Sequence, residues 1–155
     1  MGFDWKIISP EIMILVTAFI LLVADLFLKK GRNAILTGLS FAGIMIALLF
    51  TFSHYQTLGM GFGNVVISDS ISFYFKIIFC LGTLLTIFVS STYIKREMKS
   101  IGEYYVLIFI STFGMMVMAS SADLITIFLG LEVMSIPLYV LAGIDRDRPR
   151  CARHL

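Results

Sequence analysis

The sequence predicts an all-α, polytopic membrane protein with five transmembrane helices, and three observations carry that expectation. Of 155 residues, 59% are hydrophobic and only 14% charged, whereas soluble domains are about half apolar and a quarter charged. Mean hydropathy is +0.96. Five apolar runs, residues 8–28, 34–53, 71–93, 104–120 and 124–144, each approach or exceed the roughly 20 helical residues that cross about 30 Å of hydrocarbon. Leu, Ile, Phe and Met run through them without the period-two alternation of a barrel strand, so helices are expected.

The first run is read as a retained span and not as a signal peptide. It is longer than an h-region, ends in Lys29-Lys30-Gly31-Arg32 where a cleavage site would need small residues, and leads at once into another apolar run. Glu11 follows Pro10 and is expected in the first turn, at the positive end of the helix dipole. Asp25 is expected to pair with Lys29 one turn on. After the second run, residues 54–70 with Gly59, Gly61 and Gly63 form the one longer loop. It reads as a surface turn structure; no Lys-Ser or Lys-Thr pair opens a helix after it, as a phosphate cradle would need. The third run carries Lys76 about five residues inside its start, near enough to the interface to snorkel, with an accessory functional role as the other reading. Tyr104 and Tyr105 open the fourth run as interface anchors. Ser120-Ser121-Ala122-Asp123 then makes a tight turn, with Asp123 a natural N-cap for the fifth run.

Basic residues set the orientation. Lys29, Lys30 and Arg32 follow the first run, Lys95, Arg96 and Lys99 the third, and Arg146, Arg148, Arg150 and Arg153 the fifth, so ten of the 12 Lys and Arg residues fall on one side. The positive-inside rule then places the N-terminus outside and the C-terminus in the cytoplasm. The chain divides into a five-helix membrane domain, residues 1–144, and a basic cytoplasmic tail, residues 145–155. The lipid bilayer is an expected partner; nucleic acid is not. Cys80 and Cys151, with His54 and His154 far apart, make neither a disulfide framework nor a metal cluster. The nine methionines read as packing residues.

The main candidate for chemistry is Glu132, in FLGLEVMSIPLY. It lies nine residues beyond Asp123, roughly 13 Å along a helix, close to the bilayer midplane. An acid at the centre of a span costs roughly 2.5–3.5 kcal/mol on the insertion scale for Asp, and such residues mark function by default. A carboxyl group in this setting can hold a proton and release it when a cation approaches, as a proton relay requires. Ser135 and Tyr139 share its face, one and two turns on, and could hold water or bond the acid; Phe128 precedes them. Pro137 frees the Val133 carbonyl nearby. The competing reading is a structural Glu bonded to a hydroxyl or amide of another helix.

The run EYYVLIFISTFGMMVMASSADLITIFLGLEVMSIPLYVLAGI, residues 103–144, resembles the fourth and fifth helices of subunit N of the proton-pumping NADH:quinone oxidoreductase, respiratory complex I. PEIMILVTAFILLVADLFLKK and DSISFYFKIIFCLGTLLTIFVSSTYIKRE are similar to that subunit's early helices, so the resemblance reaches Arg150. It implies a multi-pass subunit of the cell (inner) membrane that takes part in proton translocation coupled to electron transfer from NADH to quinone, with the other membrane subunits of complex I as partners. It also implies that Glu132, the fifth-helix glutamate, belongs to the proton path and works against a lysine on a later, discontinuous helix. The chain lacks an Fe–S cysteine cluster and a dinucleotide-binding glycine fingerprint. No cofactor is therefore expected on it; NADH, flavin, Fe–S clusters and quinone are expected on partner subunits. Residues 151–155 depart from the family, which suggests a truncated, frameshifted or split subunit. A subunit of a multi-subunit Na+/H+ antiporter and a non-transporting membrane scaffold are the alternatives.

Overall fold

The computed structural model describes residues 5–27, 32–53, 59–61, 65–97 and 101–143. Each apolar run folds as a helix: α1 (Trp5–Phe27), α2 (Arg32–Ser53), α3 (Ser70–Glu97), α4 (Ile101–Ser120) and α5 (Leu124–Gly143). In hydrocarbon only intrahelical bonding satisfies every backbone amide within one segment, and all five helices are long and apolar enough to cross a membrane. At 28 residues, α3 is roughly 42 Å long and exceeds the hydrocarbon core.

The α2–α3 connection contains a short antiparallel hairpin, β1 (Gly59–Gly61) with β2 (Val66–Ser68), in the register Gly59 to Ser68 and Gly61 to Val66. The expected surface turn is therefore an ordered ribbon. It is fastened to the α4–α5 turn by a bridge between Val66 and Ser121 and by the Ala122 amide, which donates to the Val65 carbonyl at 2.9 Å. Asp69 caps α3: its Oδ1 accepts the Ser72 amide at 2.7 Å. Asp123 takes the N-cap position of α5, its carbonyl accepting the Ile127 amide at 3.1 Å.

The packing centre is α4, which touches α1, α2, α3 and α5. Tyr105, Phe109 and Met116 of α4 are fully buried, against Ile14 and Leu21 of α1, Leu36 and Ile44 of α2, and Ile87 of α3. Contacts between α1, α2, α3 and α4 close a four-helix group, and α5 attaches through α4. Small residues allow the close approaches, as is usual in membranes. A Cβ on Gly114 would stand 2.6 Å from the Met134 backbone nitrogen and 2.7 Å from the Gly130 carbonyl oxygen.

Two expectations about polar side chains are corrected here. Because α1 starts by Trp5 with Pro10 inside it, Glu11 sits beyond the first turn and points into the bundle, where it is 2% exposed; an ion pair, not the helix dipole, accounts for it. Tyr105 is no interface anchor. It is fully buried and its hydroxyl lies 3.0 Å from Thr37 Oγ1 of α2. The Lys29 proposed as partner of Asp25, together with Cys151, His54 and His154, lies outside the described residues. Asp25 packs against α4 at Gly102, where a Cβ would stand 2.1 Å from its carboxyl carbon.

Candidate functional site

Polar side chains inside the bundle are confined to a few levels. Near the hairpin end, Lys76 Nζ of α3 lies 2.7 Å from Glu11 Oε1 of α1, with both side chains almost fully buried. Lys76 therefore does not snorkel; the pair spares each charge the far larger cost of burial alone. Ser120, the last residue of α4, places Oγ 2.6 Å from the same Glu11 oxygen and 2.9 Å from the Met116 carbonyl. A hydroxyl has one proton to donate, and a charged acceptor makes the stronger bond. Glu11 Oε2 and, one turn before Lys76 on α3, Ser72 Oγ are buried without a hydrogen-bond partner among the described residues. Buried Cys80 lies one turn further along the same face. The strand β2 touches α1, α3 and α4, the three helices that supply this cluster.

Deeper in the bundle, Thr83 Oγ1 of α3 and Thr112 Oγ1 of α4 are 2.7 Å apart. Near the far end Ser90 Oγ of α3 meets the Tyr104 hydroxyl of α4, also at 2.7 Å. Lys76, Thr83 and Ser90 are spaced by seven residues, so one stripe of α3 carries all three levels. The middle level borders a groove of about 640 Å³ between α3, α4 and α5, with Ile78, Phe79, Met115 and Leu138 among its apolar walls.

The principal sequence candidate lies elsewhere. Gly130, Met134 and Pro137, at helical spacing, form the α5 face that meets α4. Two residues round the helix from Gly130, Glu132 falls on the opposite side with Phe128, Ser135 and Tyr139; Phe128 is 60% and Tyr139 75% exposed. Glu132 is half-buried, and no described residue bonds or pairs with its carboxylate. The Ser135 hydroxyl donates to the Leu131 carbonyl of its own helix, leaving its lone pairs available. Lys76 engages α1 while α5 packs on α4, so the structure does not bring Lys76 and Glu132 together. Thus it separates two groups: an acid with two hydroxyls on an uncovered helix face, and a buried acid–base pair in the bundle core. The second was missed because Glu11 and Lys76 are 65 residues apart in sequence; the only local signal was that each is a lone charge in an apolar run.

No family model matches the chain. The chain is 41% identical over 142 residues to NADH-quinone oxidoreductase subunit N of Trichlorobacter lovleyi, a match covering 92% of this chain and 29% of the relative. It is 41% identical over 150 residues to that subunit of Brevibacillus brevis, covering 94% and 29%. It is 37% identical over 148 residues to NADH-quinone oxidoreductase subunit N 2 of Rhizobium meliloti, covering 95% and 31%. The chain thus spans about three-tenths of the length of these curated relatives. Five membrane-crossing helices and identity sustained over nine-tenths of its length make the chain a multi-pass membrane protein homologous to part of NADH-quinone oxidoreductase subunit N.

Proposed function

We propose that this chain is the early-helix part of a non-redox, proton-translocating membrane subunit of NADH:quinone oxidoreductase, and that Glu132 is its proton-relay group. The supporting observation is the placement of Glu132, Ser135 and Tyr139 on the α5 face turned away from α4. A carboxyl group facing lipid near the midplane is strongly disfavoured, so this face belongs against further protein. A neutral acid there becomes a carboxylate when a cation on an apposed helix approaches, because attraction between charges is strong where water is scarce. The released proton moves along water held by the Ser135 and Tyr139 hydroxyls. The backbone helps, since Pro137 leaves the Val133 carbonyl free to accept a hydrogen bond.

In this reading the complex I partners carry NADH oxidation, flavin, Fe–S clusters and quinone, and the site of action is the cell (inner) membrane. The test is Glu132→Gln, which keeps size and polarity but cannot titrate. Assembly should persist while proton pumping per NADH oxidised falls by about a hundredfold or more, the lower range for removal of a proton-transfer group; Glu132→Asp should restore part of it. Undiminished pumping in the Gln variant would reject the role and leave a scaffold.

A further inference from the structure

The geometry points to a second proton-exchange site, at the Glu11–Lys76 pair, that communicates with the hairpin side of the membrane through Ser72. This site is separate from Glu132: it lies between α1, α3 and α4 under β2, on helices that share no bond with the Glu132 carboxylate.

Four observations carry the inference. The pair is a matched donor and acceptor at 2.7 Å, close enough for a proton to move from nitrogen to oxygen with little displacement of either group. Both charges are buried, and water-poor surroundings narrow the difference between the ionised pair and the neutral amine and acid. Among the described residues Glu11 uses one oxygen; Oε2 is buried with no hydrogen-bond partner there, as is Ser72 Oγ. Two buried polar atoms of this kind call for a shared water. Finally, Ser72 leads outward, because its own amide is bonded to Asp69 at the head of α3, where the helix meets the hairpin loop.

The charged and titratable surroundings are sparse. Among the described residues, α1 contributes Glu11 and α3 contributes Lys76, with Cys80 one turn deeper and Asp69 at its cap; α4 offers the Ser120 hydroxyl, and α2 brings no ionisable group to this level. The exchange step balances on these atoms. An N–H bond of the Lys76 ammonium breaks as an O–H bond forms on Glu11, giving a neutral amine beside a neutral acid. The neutral acid then turns about its Cγ–Cδ bond, which carries the protonated oxygen to the Ser72 side; there the O–H bond breaks as the proton passes to a water shared with Ser72 and leaves on the hairpin side. Uptake reverses the same steps. In the ionised pair Ser120 and Lys76 both hold Glu11 Oε1, which presents Oε2 to the Ser72 side.

The test is directional. The full chain carrying Glu132→Gln is inserted in one orientation into sealed phospholipid vesicles with its glutamates labelled by ¹³C at the carboxyl, and the carboxyl infrared bands are followed after a pH jump on one side. Only Glu11, Glu97 and Glu103 then remain as labelled acids. Glu11→Gln identifies the Glu11 band by its loss, and Glu11→Asp does so if the Gln variant does not fold, because aspartate is unlabelled. The expected result is a Glu11 band that changes after a jump on the hairpin side and not after a jump on the other side, and that responds about a hundredfold more slowly in Ser72→Ala, the lower range for a positioned proton-transfer group. A band that ignores both jumps, or answers only the opposite side, or keeps its rate in Ser72→Ala, overturns the proposal. Because Glu132 is absent from every sample, the outcome does not depend on its role.

Discussion

Glu11 and Lys76 neutralise one another inside the bundle, so removing one partner is far more damaging than removing both. Lys76→Met leaves a buried carboxylate with Ser120 as its one hydrogen-bond donor among the described residues and should cost about 3–5 kcal/mol, whereas Glu11→Leu combined with Lys76→Met should recover most of that loss. Reversible unfolding of the detergent-solubilised protein measures both; a double variant as unstable as the single one would contradict the pairing. The cap on α3 is a smaller lever. Asp69→Ala removes an acceptor 2.7 Å from the Ser72 amide and should cost about 1 kcal/mol, read in the same assay. Of these residues, Glu132 announced itself in the sequence, as a lone acid centred in an apolar run. Glu11 and Lys76 did not reveal their partnership, since pairing across 65 residues has no local periodicity to betray it. Asp69 was legible in principle, as an Asp-Ser pair just before an apolar run.

At the scale of elements, the five helices were readable because each is set by its own composition: an apolar run of sufficient length can satisfy its backbone only as a helix. The starts were less readable. Pro10 suggests a first-turn position, yet α1 extends back to Trp5, which makes the proline the sixth residue of the helix and costs it the amide bond to the preceding turn. The glycines of the α2–α3 loop read as a turn, whereas β1 pairs with β2 and Val66 also bridges to Ser121 of the α4–α5 turn, a partner 55 residues on that no local pattern names. Contact between α4 and α5 depends on absent side chains. Gly114→Ala puts a methyl group within 2.6 Å of the Met134 backbone and should force the helices apart at about 1–3 kcal/mol, the range for overpacking. Reversible unfolding of the detergent-solubilised protein measures it; unchanged stability would mean that the two helices do not meet at Gly114.

For the whole molecule, the alternation of helix ends follows from the side-chain bonds. The start of α1, the start of α3 and the end of α4 meet at Glu11, Lys76 and Ser120, while the end of α3 and the start of α4 meet at Ser90 and Tyr104. The hairpin and the α3–α4 connection are thus at opposite ends. With Cys80 and Cys151 replaced by Ser, a cysteine at position 68 should react with a membrane-impermeant maleimide from one side only and a cysteine at position 103, exposed in the first turn of α4, from the other. Reaction of both from the same side would rule out this topology.

The three polar levels along α3 have a mechanical consequence. Sliding α4 along α3 by a single residue, about 1.5 Å, would stretch the Thr83–Thr112 and Ser90–Tyr104 bonds together, and the Ser120–Glu11 bond with them because Lys76 ties α1 to α3, so these two helices form a rail. Between α4 and α5 the fit is glycine against backbone, with no bond between side chains of the two helices among the described residues. What fixes α5 along its length is the turn at its head, where the Ala122 amide donates to the Val65 carbonyl: the helix bearing Glu132 is moored at its hairpin end.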